Sequence, residues 1–146
     1  YLGNIGKERF ELVDGKLWYH TGDIVEEYGG VYFCKGRLDT QVKLSGYRVE
    51  LMDIEVQVRR LAGVKDAVCF VAEENGIQRL VCAVQPGDSR ELSFPELTRL
   101  LKALLPEYMV PKKMFSLSRL PLNKNGKIDR RAVKEQYQAL SQGAQA

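Results

Sequence analysis

The sequence predicts an α+β fold in which a small antiparallel hairpin segment precedes a small mixed sheet with flanking helices. Two observations carry this prediction. Strand-like runs joined by tight-turn dipeptides fill residues 1–38, whereas strands and amphipathic helices are interspersed, without a βαβ repeat, over residues 39–140. The chain has 146 residues, of which 45% are hydrophobic, and this is enough for one ordinary core.

Residues 1–38 have the pattern of two β-hairpins. Asp14-Gly15 and Gly29-Gly30 each lie between two strand-like runs, and both dipeptides accept the positive φ angles of a two-residue hairpin turn. The predicted strands are residues 10–13, 17–20, 24–28 and 31–35. Because two hairpins bury too little apolar surface to be stable alone, we expect residues 1–38 to end a larger neighbouring domain.

The first elements of residues 39–140 are two short strands, a helix and a long hairpin. Strands are predicted at 41–44 and 47–49, on either side of Ser45-Gly46. A helix follows, because apolar residues recur at helical spacing at Leu51, Ile54, Val58 and Leu61. Asn75-Gly76 then joins two apolar runs, which predicts a hairpin of central strands at 67–72 and 78–84.

The remaining elements are two helices with a strand between them. Ser93 and Glu96 form a capping-box pattern ahead of an apolar stripe that Pro106 ends, so a second helix is predicted there. A strand is predicted at 114–117, and Asp129 begins a final helix of about ten residues. Residues 141–146 are expected to be a tail or a linker.

Composition excludes several classes of protein. No apolar run approaches the roughly 20 residues that span a bilayer, and no basic-then-apolar leader is present, so we expect a cytoplasmic protein. Cys34, Cys69 and Cys82 lack metal-ligand spacing and lie in apolar strands, which favours buried, reduced thiols and no metal site. Residues 111–134 carry eight basic side chains and one acidic side chain, but no nucleic-acid-binding motif. We therefore expect no nucleic-acid partner; the patch is a solvated face or attracts phosphates or an acidic protein.

Three polar motifs resemble, in order and spacing, the C-terminal part of the AMP-forming adenylating superfamily. They are Tyr19-His20-Thr21-Gly22-Asp23, residues 36–50 and residues 121–129. The superfamily includes acyl-CoA synthetases, luciferases, peptide-synthetase adenylation domains and D-alanine:carrier-protein ligases. By this resemblance residues 39–140 are the mobile lid of an enzyme, and residues 1–38 belong to its larger N-terminal domain. His20 departs from the family, which usually has arginine or lysine there.

For the first two motifs, the resemblance assigns nucleotide contacts and a hinge. It implies that Asp23 accepts hydrogen bonds from the ribose hydroxyls of ATP and that Arg37 supports the same sugar. It implies that Asp39 is the hinge about which the lid rotates between two half-reactions. Without the resemblance, Asp23 is equally well explained as a turn aspartate that caps its own backbone, and Asp39 as a solvated linker residue.

The resemblance assigns the remaining residues to the two chemical steps. Gly46, Tyr47 and Arg48 match the loop that lines the phosphopantetheine tunnel, and Lys43 matches a lysine near the same surface. Lys127 matches the catalytic lysine, whose ammonium contacts the substrate carboxylate and the α-phosphate. From the residues alone, Gly46 to Arg48 form a turn into a strand, and Lys127 lies in a solvated Asn-Gly turn.

The activity implied by the resemblance is ATP-dependent activation of a carboxylic acid followed by transfer to a phosphopantetheinylated carrier protein. Residues 48–51 and 105–111 look like those of members that activate amino acids, and Tyr32-Phe33 resembles D-alanine ligases. Mg²⁺ ligands and the acid pocket are expected in the missing N-terminal domain, so the isolated chain should be inactive. The alternatives are an acyl-CoA synthetase that uses free CoA and a non-catalytic docking module.

Overall fold

The computed structural model describes residues 10–37, 40–87 and 91–143, with the backbone alone for residues 35 and 36. The chain divides into two compact units, of which the first ends at Gln41 and the second begins at Val42. Asp39, the predicted hinge, lies outside the described residues. The predicted domain boundary at residues 38 and 39 therefore stays a prediction.

The first unit contains two antiparallel hairpins. Its strands are β1 (Phe10–Val13), β2 (Lys16–Tyr19), β3 (Asp23–Tyr28) and β4 (Val31–Arg37). Asp14 and Gly15 have φ angles of 51° and 73°, as a type I′ turn requires, which confirms the predicted turn. Among residues 10–37 no hydrophobic side chain is buried. The predicted burial of Cys34 is thus wrong, because this hairpin has no covering layer within the described residues.

The remaining elements follow the predicted order. They are β5 (Gln41–Leu44), β6 (Tyr47–Glu50), α1 (Leu51–Arg59), β7 (Val64–Glu74), β8 (Ile77–Pro86), α2 (Phe94–Leu104), a 3-10 turn (Glu107–Met109), β9 (Lys113–Ser116) and α3 (Arg130–Gly143). No helix in the described ranges is long and apolar enough to cross a membrane.

A three-stranded sheet in the order β7-β8-β9 organises the second unit. β7 and β8 pair antiparallel across the Asn75-Gly76 turn, where both residues have positive φ. β9 pairs parallel with β8, and α2 makes the crossover that a parallel connection requires. The sheet is therefore mixed and the fold is α+β, as predicted.

The two faces of this sheet are covered by different elements, because successive side chains of a strand point to opposite faces. One cluster contains Cys69 and Cys82 of the strands together with buried side chains of β5, β6, α1 and α2. The other contains Val68 and Phe70 together with Val133 and Tyr137 of α3. The β5–β6 hairpin and α3 thus pack on opposite faces.

Two details of the helices differ from the prediction. The Ser93 side chain makes no cap hydrogen bond, so the predicted capping box is not formed; Pro95 has no N–H to offer it, and the Glu96 N–H is not used. α3 has 14 residues, so residues 141–143 are helical and not part of a tail. Residues 130–142 contain no proline or glycine that would end this helix earlier. Its predicted start is confirmed, since Asp129 Oδ1 accepts the Ala132 N–H at 3.0 Å.

Candidate functional site

Asp23 and Arg37 form a cross-strand ion pair in the first unit. The antiparallel register places them opposite each other, and Arg37 Nη1 lies 3.1 Å from Asp23 Oδ1. Arg37 Nη2 also donates to the Thr21 carbonyl at 3.4 Å, and the Asp23 N–H donates to Thr21 Oγ1 at 3.2 Å. Both side chains are more than one-third exposed, so the carboxylate keeps acceptor capacity toward solvent.

Gly22 lies against this pair, whereas His20 contacts a different carboxylate. Gly22 has a φ of +80°, and a Cβ built there would lie 3.5 Å from Arg37 Nη2, so the turn before Asp23 favours glycine. The His20 ring lies 3.0 Å from the carboxylate of Glu11, which is in β1 and not in the hairpin that carries Asp23 and Arg37. The one departure from the family motif therefore leaves the Asp23 carboxylate undisturbed.

The β5–β6 hairpin presents Gly46, Tyr47 and Arg48. Ser45 and Gly46 have φ angles of 50° and 82°, which define a tight type I′ turn. A Cβ at Gly46 would meet open space, so the backbone conformation and not crowding explains the glycine. Arg48 and Lys43 are exposed on the two strands of the hairpin.

Tyr47 is held by a partner that the sequence did not indicate. Its ring stacks on that of Tyr108, with 4.1 Å between the centroids and 7° between the planes. Tyr108 lies in the 3-10 turn Glu107–Met109, far along the chain. The stack fixes the direction of Tyr47, which remains half exposed beside the turn.

Lys127 lies at the end of a closed loop. Asn123 Oδ1 accepts the N–H groups of Asn125 and Lys127 at 2.9 and 3.1 Å, and the Asn123 N–H donates to the Lys127 carbonyl at 2.7 Å. Gly126 supplies the positive φ angle, +77°, that the turn needs. The backbone of the loop is therefore fully tied at both ends.

The Lys127 ammonium itself is available for a ligand. The side chain is exposed, and no described carboxylate forms an ion pair with it. Leu122 and Ile128 form an antiparallel bridge, and the Asp129 N–H donates to the Pro121 carbonyl at 2.8 Å, which closes the base of the loop. A cation on a rigid base suits the binding of a phosphate or a carboxylate.

The candidate residues fall into three places. Asp23 and Arg37 are paired in the first unit; Lys43, Gly46, Tyr47 and Arg48 share one hairpin; Lys127 lies between β9 and α3. The hairpin packs on one face of the sheet, whereas Ile128 and Val133, just after Lys127, pack on the other. The candidate residues of the second unit therefore lie on two separate surfaces.

Comparisons with known proteins identify the family. Residues 53–127, just over half of the chain, match the family described as AMP-binding enzyme C-terminal domain. The chain is 43% identical to the D-alanine–D-alanyl carrier protein ligase of Staphylococcus epidermidis, in an alignment 141 residues long that covers 92% of this chain. It is 42% identical to the ligase of the same name from Staphylococcus haemolyticus, in an alignment 146 residues long that covers 95% of this chain.

Solved structures agree with the family match. A holo four-domain nonribosomal peptide synthetase bound to AMP and glycine superimposes with a TM-score of 0.70 and 35% identity, over 86% of this chain and 10% of that one. The chain spans 29% and 30% of the length of the two curated ligases. The chain belongs to the family of AMP-binding enzyme C-terminal domains.

Proposed function

We propose that this chain is the lid of an ATP-dependent ligase that activates an amino acid, D-alanine, and transfers it to the phosphopantetheine thiol of a carrier protein. The observation that carries the proposal is the exposed Lys127 ammonium on its closed loop. The names of the curated relatives support the acid and the carrier. The partners are the acid, the carrier protein and the N-terminal domain of the same enzyme.

In the first half-reaction Lys127 offsets negative charge. A carboxylate oxygen of the acid attacks the α-phosphorus of ATP, the bond to pyrophosphate breaks, and an acyl-adenylate forms. The attacking and attacked groups are both anionic, so a positioned ammonium between them lowers the barrier. The short hydrogen bonds of Asn123 keep the Lys127 backbone fixed during this step.

Asp23 and Arg37 hold the nucleotide sugar. A carboxylate with one oxygen bonded to a guanidinium retains lone pairs for the two adjacent hydroxyls of ribose. Arg37 keeps Asp23 oriented through its second contact, the Thr21 carbonyl. This pair makes the same contact in both half-reactions, because the sugar does not react.

The second half-reaction uses the other surface of the lid. Gly46, Tyr47 and Arg48 line the path of the phosphopantetheine arm, and Lys43 lies beside them on β5. Because the hairpin and the Lys127 loop pack on opposite faces of one sheet, they cannot both face the nucleotide at once. This arrangement supports a rotation of the lid between the two steps, with Asp39 as the proposed hinge.

Mg²⁺ is a proposed cofactor whose ligands are not expected in this chain. The described residues contain no group of three or more His, Cys, Asp or Glu side chains that could hold a metal ion. The Asp23 carboxylate, one member of an ion pair, offers a single ligand at most. The ligands are expected in the N-terminal domain, and the enzyme is expected in the cytoplasm, where ATP is supplied.

The test compares Lys127 with Lys124, which is exposed on the same loop. In the full-length enzyme, Lys127→Ala should slow ATP–pyrophosphate exchange by about two to three orders of magnitude, since one charge partner contributes roughly 3 to 4 kcal/mol. Lys124→Ala should change the rate by less than about threefold. Thioester formation from supplied acyl-adenylate should be unaffected by either change.

Two outcomes of this experiment contradict the proposal. Equal slowing of both half-reactions by Lys127→Ala would show that the lysine supports the structure and not the adenylation step. A normal rate of ATP–pyrophosphate exchange by Lys127→Ala would show that Lys127 has no catalytic role. Replacing the carrier by free CoA as the acceptor separates the proposed ligase from an acyl-CoA synthetase.

A further inference from the structure

Glu55 is a buried carboxylate in the core of the second unit. It lies on the apolar stripe of α1, next to Ile54, and is only 2% exposed. Burial of a charged carboxylate is costly unless charges and hydrogen-bond donors compensate it. The neighbours of Glu55 must therefore include groups that compensate its charge.

Three donors surround the Glu55 carboxylate. Oε1 accepts the Cys69 N–H at 2.8 Å and also contacts Arg130 Nη1. Oε2 lies 3.5 Å from Arg59 Nη2. Arg130 Nη1 donates to the Cys69 carbonyl as well, so Glu55 and Arg130 together satisfy both backbone groups of Cys69.

These contacts protect an edge of the sheet. Among the strands that the structure describes, β7 is at the edge of its sheet, and its outward N–H and C=O groups have no neighbouring strand to pair with. At Cys69, Glu55 and Arg130 supply the hydrogen-bond partners that a neighbouring strand would otherwise supply. At Ala67, Arg59 Nη2 donates to the carbonyl at 3.0 Å. Burial raises the pKa of the Cys69 thiol well above its ordinary value; the adjacent Cys82 and then Glu55 raise it further, whereas Arg130 lowers it.

The two arginines of this cluster differ in what they connect. Arg59 is the last residue of α1 and joins that helix to β7. Arg130 is the first residue of α3, three positions after Lys127, and it reaches across the β7 edge to α1 on the opposite face. The start of α3 is thus tied to the sheet by a side chain as well as by packing.

We propose that Arg130 is a positioning residue for Lys127. Its contacts with Glu55 and the Cys69 carbonyl fix the first turn of α3. The hydrogen bond from the Asp129 N–H to the Pro121 carbonyl then holds the base of the Lys127 loop in place relative to that turn. The role in catalysis rests on the function proposed above for Lys127. A loop displaced by about 1 Å loses up to two orders of magnitude in rate.

The experiment uses Arg130→Ala and the matched control Arg59→Ala in the full-length enzyme. Both changes remove a donor to Glu55 and to the β7 edge, but only Arg130 is connected to the Lys127 loop. Arg130→Ala should lower kcat for adenylate formation by about tenfold to a hundredfold, with KM for ATP and thioester formation nearly unchanged. Arg59→Ala should leave adenylate formation within about twofold.

A second readout does not depend on activity. Hydrogen exchange at the Lys127 and Asp129 amides, which bond to Asn123 and Pro121, should accelerate by about tenfold or more in Arg130→Ala and stay unchanged in Arg59→Ala. Arg130→Lys retains the charge but not the forked donors, so it should give an intermediate result and remain folded.

The outcomes separate this inference from the proposed function. Equal effects of Arg59→Ala and Arg130→Ala on exchange and rate would overturn it, because the cluster would then act on stability alone. Unchanged exchange in Arg130→Ala would overturn it too. If Lys127→Ala leaves adenylation intact while Arg130→Ala loosens the loop, the proposed function fails and the positioning contact stands.

Discussion

The two compact units both contain antiparallel strand pairs, yet they differ in what covers the apolar side chains of those strands. In the first unit Leu12, Leu17 and Trp18 are 72%, 68% and 57% exposed. In the second unit, Val68 and Phe70 of β7 are buried to 2% exposure on one face, and Cys69 between them is buried on the other. Turn dipeptides and apolar runs predicted strands in both units, but within the described residues it is the second unit that has helices packed on both faces of a sheet.

This difference teaches where each unit gets its stability. The second unit buries its own core and can hold the Lys127 loop rigidly by itself. The first unit presents Asp23 and Arg37 on hairpins whose apolar side chains need a cover that the described residues do not supply. We expect the N-terminal domain of the enzyme to provide that cover.

The largest effect on stability should separate the two units directly. Leu101 of α2 is fully buried against the sheet, so Leu101→Ala should lower the free energy of unfolding by about 2 to 5 kcal/mol. Trp18→Ala should cost less than about 0.5 kcal/mol in the same 146-residue chain, because that side chain is already exposed. Urea unfolding of the chain measures both changes; equal losses would contradict the comparison.

A smaller effect concerns one aromatic pair in each unit. Tyr47 and Tyr108 stack at 4.1 Å, whereas Phe10 and Tyr19 of the first unit are 5.1 Å apart and tilted by 53°. A double-mutant cycle to alanine should give the stacked pair a coupling energy of about 0.5 to 1.5 kcal/mol. The tilted Phe10–Tyr19 pair should give a smaller coupling energy. A larger coupling energy for Phe10–Tyr19 than for Tyr47–Tyr108 would contradict the comparison.

Local patterns predicted most of the fold. Asp14-Gly15 and Asn75-Gly76 fix their turns through φ angles that depend on the dipeptide itself, and the helical stripe at Leu51 and Val58 needs only the 3.6-residue period. The strand order of the sheet was not predictable in this way. The parallel pairing of β9 with β8 depends on how α2 packs, which no short window of sequence contains.

The candidate site shows the same difference between residues predicted from a local motif and residues that depend on distant partners. The position of Lys127 in an Asn-Gly turn was predicted from a contiguous motif, while its catalytic role stays a prediction. Tyr108 and Arg130 could not be assigned, because their partners Tyr47 and Glu55 lie more than one element away along the chain. One signal was present: a glutamate on an apolar helical stripe indicates a buried charge that needs a partner elsewhere.

The smallest effect on the free energy of unfolding is expected at the rim of the second unit, where side chains are exposed to solvent as they are in the first unit. Glu74 at the end of β7 bonds Lys113 Nζ at 2.8 Å and the Tyr137 hydroxyl. The hydrogen bond from Lys113, and then that from Tyr137, lowers the pKa of Glu74 from its ordinary value of 4.5. The same contact with Glu74 raises the pKa of Lys113 from its ordinary 10.5.

The signs of these two shifts give a plateau in stability against pH. A carboxyl with a lowered folded pKa stabilises fully above 4.5 and loses its contribution as pH falls through the folded value. A lysine with a raised pKa contributes fully below 10.5 and loses its contribution as pH rises through the folded value. The loss of unfolding free energy in Glu74→Gln should therefore be constant near neutrality and shrink in acid. Glu73→Gln, at the exposed neighbour, is the matched control, and an equal pH dependence in both variants would assign the effect to general surface charge.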